Sequence, residues 1–473
     1  MERIKHSILL PLGLAIVPLV AAVSARAEIA TMDWSASAEI LARIKAPEFP
    51  AREFDITKHG AVADGTTDCT VAIRSAIEAC HGSGGGRVVV PAGVFITGAI
   101  HLKSNVNLFL SHGSTLRFRT DPSAYLPVVR TRWEGIECMN YSPFIYAIDE
   151  ENIAVTGSGT LDGAASADAW WDWAAKSPGH KPPAAADAKA LNELAEQNVP
   201  VENRLFGTGH FLRPNFFQPY RCRNVLIEGV TILRSPMWEI NPVLCSNVTV
   251  RGLTIESHGP NNDGCDPDSS RDVLIEHCSF ATGDDCIAIK SGRNEDGRRV
   301  GVPSENLVVR HCVMKDGHGG VVIGSEISGD CRNVFIEDCE MDSPNLERML
   351  RFKSNARRGG TIENVLVRRV RVGRVAEAIL TVDLLYEEGA DGPYQPIVRH
   401  IALEDITSLS SPRVFFVAGF KKAVIDDIRV SNSTFAGVDA PEFIQFAKRI
   451  VLEDVTVLPA KKIQSLSTRA DPR

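Results

Sequence analysis

The chain has few aromatic residues and no excess of positive charge. Aromatic residues make up 7% of its 473 residues, and 37 Gly and 26 Pro are far too few for a collagen-like or low-complexity protein. With 51 Lys and Arg against 59 Asp and Glu, the formal net charge is −8, which argues against a general binder of nucleic acid or anionic membranes. What remains is either several ordinary domains or one long repeat architecture.

Long apolar runs are also scarce, and the one that stands out lies at the N-terminus. Basic residues precede an apolar run from Ile8 to Val23, and Ala25-Arg26-Ala27 has the small-x-small form of a signal-peptidase site. We predict a signal peptide over residues 1–27 and one domain over 28–473. The protein is then expected in the periplasm or the medium, without membrane contact after cleavage.

A nine-residue phrase recurs along the chain. It begins with Asn or a similar polar residue and continues with alternating Val, Ile and Leu around a central polar pair, as in Asn224-Val-Leu-Ile-Glu-Gly-Val-Thr-Ile232. A repeat of this length indicates one supersecondary unit stacked many times. Further copies start at Asn247, Asp272, Asn306, Asn333, Asn364, His400, Lys422 and Arg449.

The repeat predicts the fold. Each phrase alternates with period two and is rich in β-branched residues, which favours a strand, and no helical pattern separates the copies. Strands that run the same way without crossover helices stack only as a coil, with turns about 4.8 Å apart. We therefore predict an all-β fold, a single-stranded right-handed parallel β-helix. An amphipathic helix around Thr70 to Cys80 is expected to cap its N-terminal end.

Residues 163–220 interrupt the repeats and are predicted to form an inserted lid. Trp170, Trp171 and Trp173 lie in it, followed by a predicted helix from Ala184 to Gln197. Two interpretations of the tryptophans stay open. They either pack against the coil or form an aromatic wall on which sugar rings stack.

The eleven cysteines are an odd number with scattered spacing, so they do not define a disulfide framework. Cys278, Cys312 and Cys339 occupy equivalent positions of the repeat and are expected to form an inward ladder. Cys265 and Cys286 are 21 residues apart, about one turn of the coil, and are the best candidates for a disulfide.

Four polar clusters interrupt the apolar alternation at turn-like sites. They are Asn261-Asn-Asp263-Gly-Cys-Asp266, Gly283-Asp284-Asp285-Cys286, Gly317-His318-Gly-Gly320 and Arg351-Phe-Lys353. Their spacing is close to one turn, so they should lie on neighbouring rungs. Three neighbouring carboxylates repel one another, and at least one should keep its proton at neutral pH. Such an arrangement suits cleavage of a glycosidic bond, and the Arg and Lys would hold an anionic group of the sugar.

These motifs resemble glycoside hydrolase family 28, the polygalacturonases and their rhamnogalacturonan-cleaving relatives. The family's Asn-x-Asp, Gly-Asp-Asp and Gly-His-Gly motifs match Asn261 to Asp263, Gly283 to Asp285 and Gly317 to Gly319. Its Arg-Ile-Lys motif appears with Phe352 in the middle, and Tyr386 resembles the family tyrosine one rung further on. The opening Phe54-Asp-Ile-Thr-Lys-His-Gly-Ala61 is typical of pectin-active β-helices.

The resemblance implies roles for these residues. Asp284 would protonate the leaving oxygen, Asp263 and Asp285 would activate water with inversion of the anomeric centre, and His318 would tune the acid. Arg351 and Lys353 would hold the galacturonate carboxylate. One tension is that rung spacing places the carboxylates about 5 Å apart, a separation associated with retaining enzymes. Asn261, Arg293, Tyr386 and Glu326 are the further candidates for substrate binding.

The loops favour exo action on chain ends or oligogalacturonides. The segment from Lys290 to Arg299 adds basic residues beside the acid pair, including Arg293 and Arg298, and Ile323-Gly-Ser-Glu326 follows the His motif. Both segments and the Trp-rich insertion resemble the bacterial exo-acting branch. The substrate is expected to be a pectic polysaccharide, the protein a monomer, and neither a cofactor nor a metal is needed by this mechanism.

Three alternatives remain. A rhamnogalacturonan hydrolase has the same fold but a pocket for rhamnose, and Lys353 favours a uronate. A pectate lyase would eliminate rather than hydrolyse, usually with calcium. A non-catalytic β-helix adhesin or carbohydrate-binding protein would bind without turnover.

Overall fold

The computed structural model describes residues 34–174 and 182–460. The predicted signal peptide over residues 1–27 lies outside this part of the chain. Within the described residues, no helix combines the length and apolar character needed to cross a membrane.

The described chain is a parallel β-helix, as predicted, and every strand pairing but one is parallel. The exception is a hairpin in which Val129–Trp133 pairs antiparallel with Ile136–Asn140. The largest sheet has 24 strands. They are Glu53–Asp55, Asp64–Asp68, Gly86–Val90, Gly93–Thr97, Val106–Leu110, Ser114–Phe118, Glu151–Gly157, Thr160–Asp162, Arg223–Glu228, Thr231–Leu233, Ser246–Arg251, Thr254–Ser257, Arg271–Glu276, Ser279–Thr282, Ser304–Arg310, Val313–Met314, Cys331–Glu337, Glu340–Met341, Thr361–Arg368, Arg371–Arg374, Ile397–Glu404, Thr407–Ser410, Ile425–Val438 and Ala447–Pro459.

Three smaller sheets complete the coil. A six-stranded sheet lies under the C-terminal half and carries one wall of the candidate site. Its strands are Ile287–Ile289, Val321–Ile323, Arg348–Lys353, Ala378–Asp383, Arg413–Ala418 and Phe443–Gln445. The two three-stranded sheets are formed by Ile100–His101, Ile145–Ile148 and Phe217–Tyr220, and by the hairpin strands with Leu205–Phe206.

The recurring phrase sets the register of the large sheet. Val225 pairs with Val248, which pairs with Val273, and the same column continues through Leu307 and Val334. These side chains are buried in the core of the coil. The polar residue that opens each phrase has a positive φ, between 53° and 61° from Asn224 to His400, a conformation that Asn adopts more readily than most residues. Its side chain also bonds the next rung, as in the 2.7 Å hydrogen bond from Asn247 Nδ2 to Asn224 Oδ1.

One predicted start of the phrase was wrong. His400 is flanked by pairs that place Asp427, not Lys422, on the next rung, because Arg399 pairs with Asp426 and Ile401 with Ile428. Asp427 has the positive φ of the other starts, and Lys422 does not. The apolar residues just after Lys422 resemble the phrase, but the true start, Asp427, lies five residues later.

Within residues 34–174 and 182–460, four α-helices accompany the coil. Helix α1 (Ser35–Arg43) packs Ile40 on the outside of the large sheet, and the sequence did not predict it. Helix α2 (Thr70–Gly82) buries Ile73 and Ile77 against the first strands, in the place expected for the cap. Helices α3 (Ala184–Glu196) and α4 (Asn294–Val300) flank the candidate site, and short 3₁₀ helices cover Ile56–His59, Pro122–Tyr125, Trp171–Trp173 and Val201–Asn203.

The cysteines form no disulfide. All eleven lie in the described part of the chain, and each carries a free, buried thiol. The predicted bridge between Cys265 and Cys286 was wrong because the rung is 22 residues long here: Cys265 lies opposite Ile287. The predicted ladder of Cys278, Cys312 and Cys339 points into the core.

Candidate active site

The four polar clusters lie on successive turns of the coil in the predicted order. The amide of Gly264 donates to the carbonyl of Asp285 over 3.0 Å, and the amide of His318 donates to the carbonyl of Asp284 over 3.0 Å. One turn further on, Val322 pairs with Arg351, and Lys353 then pairs with Asp383. Tyr386 follows on that last rung.

Glycines allow the rungs to approach at these bends. A Cβ on Gly264 would lie 2.6 Å from the carbonyl oxygen of Cys286, and one on Gly283 would lie 2.3 Å from that of Gly259. Neither glycine has a positive φ. They are required for close backbone approach, whereas the sequence had suggested conformational freedom.

The clusters surround one polar cavity of about 550 Å³. Nine of the ten predicted site residues line it, and the exception is Asp285, which lies fully buried beneath it. The lining comprises Glu134, Trp238, Asn261, Asp263, Asp284, Lys290, Arg293, His318, Ser325, Glu326, Glu347, Arg348, Arg351, Lys353, Glu377, Tyr386 and Glu387.

Asp284 and His318 form a hydrogen-bonded pair, with Asp284 Oδ1 2.8 Å from His318 Nδ1. Burial raises the pKa of Asp284, but the hydrogen bond to His318 and the charge of Lys353 outweigh it, so the pKa of this carboxyl is lowered. The same hydrogen bond raises the pKa of His318. In the free protein the pair therefore favours imidazolium and carboxylate.

Asp263 has the opposite electrostatics. Burial, together with the charges of Asp266 and Asp284, holds its pKa well above the usual range. Asp266 is also fully buried, both its oxygens lack a hydrogen-bond partner, and burial raises its pKa. The raised carboxyl pKa expected from the sequence thus belongs, in the free protein, to Asp263 and Asp266, whereas the pKa of Asp284 is lowered.

Asp285 is held by Lys353, whose Nζ lies 2.7 Å from Asp285 Oδ2. Asp284, Asp285 and His318 also each place an oxygen or nitrogen atom within 4.8 Å of the others, a spacing that a metal ion could bridge. Asp284 Oδ1, His318 Nδ1 and Asp285 Oδ2 already have the partners described above, and Asp285 Oδ1 makes no hydrogen bond.

Lys290 is surrounded by carboxylates. Its Nζ lies 3.2 Å from Glu326 Oε2 and 3.7 Å from oxygens of both Asp263 and Asp266. It also lies 4.3 Å from the centre of the Trp238 ring. The charge of Lys290 is therefore balanced within the protein.

Arg293 joins three segments at one end of the cavity. Its guanidinium lies 3.1 Å from Glu134, at the tip of the hairpin, 3.8 Å from Glu326 and 3.6 Å from Glu387. The hairpin tip approaches closely, since a Cβ on Gly135 would lie 2.8 Å from the amide nitrogen of Arg293.

Arg351 differs from the other cations of the cavity. Lys290, Arg293, Arg348 and Lys353 each have an acidic partner within 4.0 Å. Among the described residues, Arg351 has none, and its Nε makes no hydrogen bond. Its guanidinium lies 5.7 Å from the centre of the Tyr386 ring.

Two expectations about the cavity walls need correction. Arg298 and Arg299 were counted among the cations beside the acid pair, but neither lines the cavity, because α4 directs them towards Glu295 and Asp296. The aromatic rings that do line it are those of Trp238 and Tyr386, and the insertion tryptophans do not. Trp170 is buried in the core, and Trp171 Nε1 donates to the carbonyl of Ser235.

Several lining residues were missed by sequence reasoning. Glu134 lies on a hairpin with no counterpart in the repeat, and Trp238, Glu377 and Glu387 lie in connections between strands. Arg348 begins the strand that carries Arg351, and Glu347 directly precedes that strand, so their closeness in sequence to Arg351 was the one available signal.

Comparisons with known proteins identify the family of the chain. The model of the glycosyl hydrolases family 28 matches residues 207–434. An endo-polygalacturonase of Pectobacterium carotovorum is 30% identical over 367 residues, which cover 73% of this chain and 79% of the relative. The chain belongs to glycosyl hydrolase family 28.

Two further family members are similar over most of the chain. The crystal structure of a hyperthermoactive exopolygalacturonase from Thermotoga maritima is 45% identical, covers 89% of this chain and 95% of its own, and superposes with a TM-score of 0.86. An exo-poly-alpha-D-galacturonosidase of Dickeya chrysanthemi is 29% identical over 415 residues, 81% of this chain and 67% of the relative. The cavity of this family member thus combines several carboxyl groups with one guanidinium that has no acidic partner among the described residues.

Proposed function

We propose that this glycoside hydrolase cleaves α-1,4-galacturonosyl bonds of polygalacturonate, acting from chain ends or on oligogalacturonides. The observation that carries the substrate class is the unpaired guanidinium of Arg351 in a cavity whose other cations are paired. A free guanidinium offers a planar set of donors that matches a carboxylate, and each galacturonate unit supplies one. Lys353 supports the same site, although its charge is shared with Asp285.

In the proposed reaction, Asp284 protonates the glycosidic oxygen, and Asp263 and Asp285 activate the attacking water. The proton of that water passes to the carboxylate of Asp285, because the raised pKa of Asp263 makes it the poorer base in the free protein. The bond between the anomeric carbon and the glycosidic oxygen breaks, and the leaving chain keeps that oxygen as a hydroxyl group. The water oxygen bonds to the anomeric carbon from the opposite face, so the anomeric centre inverts. Asp284 needs a proton although its pKa is lowered in the free protein. Binding of an anionic sugar adds negative charge and removes water beside Asp284, and both effects raise its pKa. His318 is hydrogen-bonded to Asp284 and has a raised pKa, so it carries the proton that passes to Asp284.

Exo action is supported by the closed end of the cavity. Arg293 ties the hairpin carrying Glu134 to Glu326 and Glu387, so three segments meet where a longer chain would otherwise continue. The 45% identical Thermotoga maritima enzyme is named as an exopolygalacturonase. The insertion over residues 163–220 contributes to this end through α3, which packs under the hairpin with Leu191.

Time-resolved product analysis on defined oligogalacturonides tests both points. We expect galacturonate or another short end product from the first time point, with inversion visible by NMR as the β-anomer. A ladder of mid-sized oligomers appearing first would reject exo action. Unsaturated products absorbing in the ultraviolet would indicate a lyase, and turnover only on rhamnose-containing chains would indicate a rhamnogalacturonan hydrolase.

Export and a monomeric state complete the proposal. The N-terminal sequence pattern supports removal of residues 1–27 and delivery to the periplasm or the medium. N-terminal sequencing of protein recovered from periplasm and medium, and light scattering of the purified protein, test these two points. Intact Met1 in the mature protein would contradict export by this route.

A further inference from the structure

Arg213 contacts the catalytic loop from behind. It belongs to the last part of the insertion over residues 163–220, and its Nη2 donates to Asn261 Oδ1 over 2.7 Å. Its Nη1 donates to the carbonyls of Pro236 and Pro260 over 2.7 and 2.6 Å. One guanidinium therefore joins the insertion to two connections of the coil, including the segment that leads to Asp263.

The charge of Arg213 is buried without a counter-ion. The residue is 2% exposed, and no carboxylate of the described residues lies within ion-pair distance. Burial lowers its pKa to about 10, so it stays charged at neutral pH. A buried cation costs free energy unless it is paired, and other buried arginines here are paired, such as Arg204 with Asp296 at 2.7 Å. Retaining an unpaired one beside a catalytic loop calls for a function.

The contact fixes the orientation of the Asn261 amide. A guanidinium has donors and no acceptor, so the atom of Asn261 facing Arg213 must be the carbonyl oxygen. The Nδ2 group is then directed away from Arg213, and it makes no hydrogen bond with the described residues. Asn261 lines the cavity, and Nδ2 is the polar group of its side chain that is left for a bound sugar.

The neighbouring Asn262 anchors the same loop from the other side. Its Oδ1 accepts from the amide of Gly259 at 2.8 Å and from Ser257, and its Nδ2 donates to the carbonyl of Met237 at 3.2 Å. Asn262 thus fixes the backbone of the loop, and the side chain of Asn261 is left to Arg213.

We propose that Arg213 is a positioning residue that turns the amide of Asn261 so that its Nδ2 donates to an oxygen of the bound sugar. This role deepens the proposed function and rests on it. It also assigns the insertion a part in recognising substrate, beyond covering the coil. Without the guanidinium the amide is free to rotate, and its carbonyl oxygen would then face an already acidic cavity.

A double-mutant cycle tests the coupling. We compare Arg213→Lys, Asn261→Ala and the double variant, measuring kcat and KM on trigalacturonate and the Kd for galacturonate by calorimetry. Arg213→Lys should weaken binding and lower kcat/KM about tenfold, mainly through KM, as expected for one lost hydrogen bond. In the Asn261→Ala background the same change should have an effect below about twofold, because Arg213 acts through Asn261.

The control is Arg204→Lys, which alters another buried arginine of the insertion that contacts Glu137 and Asp296 instead. Its effect should add to that of Asn261→Ala. Additive effects of Arg213→Lys and Asn261→Ala on kcat/KM would overturn the proposal, because they would mean that Arg213 does not act through Asn261. A purely structural role of Arg213 would lower Tm alike in both backgrounds.

A second variant avoids any change at Arg213. Asn261→Asp keeps an oxygen towards Arg213 and removes the donor, so Tm should be maintained while galacturonate binding and kcat/KM fall. Unchanged binding in Asn261→Asp would also overturn the proposal. Absence of hydrolysis by the wild-type chain would contradict the proposed function itself, and the Kd measurements still decide the role of Arg213.

Discussion

The two sides of the cavity carry similar cations in different surroundings. On one side, Lys290 and Arg293 lie among five carboxylates, and their charges are used to join loops. On the other side, Lys353 holds one buried carboxylate and Arg351 holds none. Proximity to the acid pair therefore does not make a cation a substrate ligand. The balance of charge around it does, because only an uncompensated cation gains from binding an anion.

The largest expected effect lies between the two sides, at the acid itself. Asp284→Asn removes the proton that the leaving oxygen needs, so kcat should fall about 10³-fold, in the range of general acid catalysis. The control is Asp316→Asn, since Asp316 pairs with His258 in similar fashion outside the cavity. A binding protein without turnover would be indicated if both variants, like the wild type, retained affinity and released no product.

On the compensated side we expect a loss of stability. Lys290→Met leaves the carboxylates of Asp263, Asp266 and Glu326 without their shared cation, which should lower the free energy of unfolding by about 3 kcal/mol. Denaturant titration at neutral pH measures this change. An unfolding free energy equal to the wild type would contradict the structural role assigned to Lys290.

On the uncompensated side we expect the reverse. Arg351→Gln removes a charge-assisted contact to the sugar carboxylate, so kcat/KM should fall about 30-fold while the unfolding curve stays that of the wild type. Steady-state kinetics and denaturant titration on the same preparation separate the two properties. The comparison fails if Arg351→Gln mainly destabilises the protein.

The pH dependence follows from the Asp284–His318 pair. Because the pKa of His318 is raised, the pair stabilises the folded protein fully below the ordinary histidine pKa of about 6.5. This stabilisation is lost as pH rises through the higher pKa of His318 in the folded protein. Because the pKa of Asp284 is lowered, its negative charge stabilises the folded protein fully above the ordinary carboxyl pKa of about 3.9. This stabilisation is lost as pH falls through the lower pKa of Asp284 in the folded protein. A pH profile of kcat/KM should show an alkaline limb above about 6.5, and His318→Gln should remove that limb.

The smallest expected effect is that of a reductant on the eleven cysteines of the coil. Since all eleven thiols are free, Tm should be the same with and without a reductant. Thermal unfolding in the two conditions, with thiol titration of the unfolded chain, checks this. A lower Tm in reductant would mean that a disulfide supports one side of the cavity.

Much of the fold was predictable from local pattern. The phrase starting at Asn224 and its copies specify strand, face and register because period-two alternation admits one buried face, and the opening Asn accepts a positive φ. The pattern failed at Lys422, where a short apolar run is compatible with more than one start. It also failed for Cys265 and Cys286, since a one-residue change in rung length turns a stacked pair into an offset one.

The site was predictable in its residues and less so in their charges. Nine of ten candidates line the cavity because repeat spacing places them on neighbouring rungs. The contributions of Glu134 and Arg213 come from segments outside the repeat, and no periodicity carries information about where those segments pack. The opposite pKa shifts of Asp263 and Asp284 likewise depend on how deeply each carboxyl is buried and on which charged groups it meets.

The coil, the family and the column of carboxylates follow from the amino-acid sequence alone, because each depends on residues separated by about one turn. Only the folded chain defines which cations are neutralised, which carboxyls have a raised pKa in the free protein and which atom of Asn261 meets Arg213. These depend on contacts between segments far apart in the chain, such as Arg293 with Glu134 and Arg213 with Asn261. The sequence shows which residues are charged. Whether an oppositely charged residue lies close enough to neutralise each of them depends on distances that only the folded chain defines.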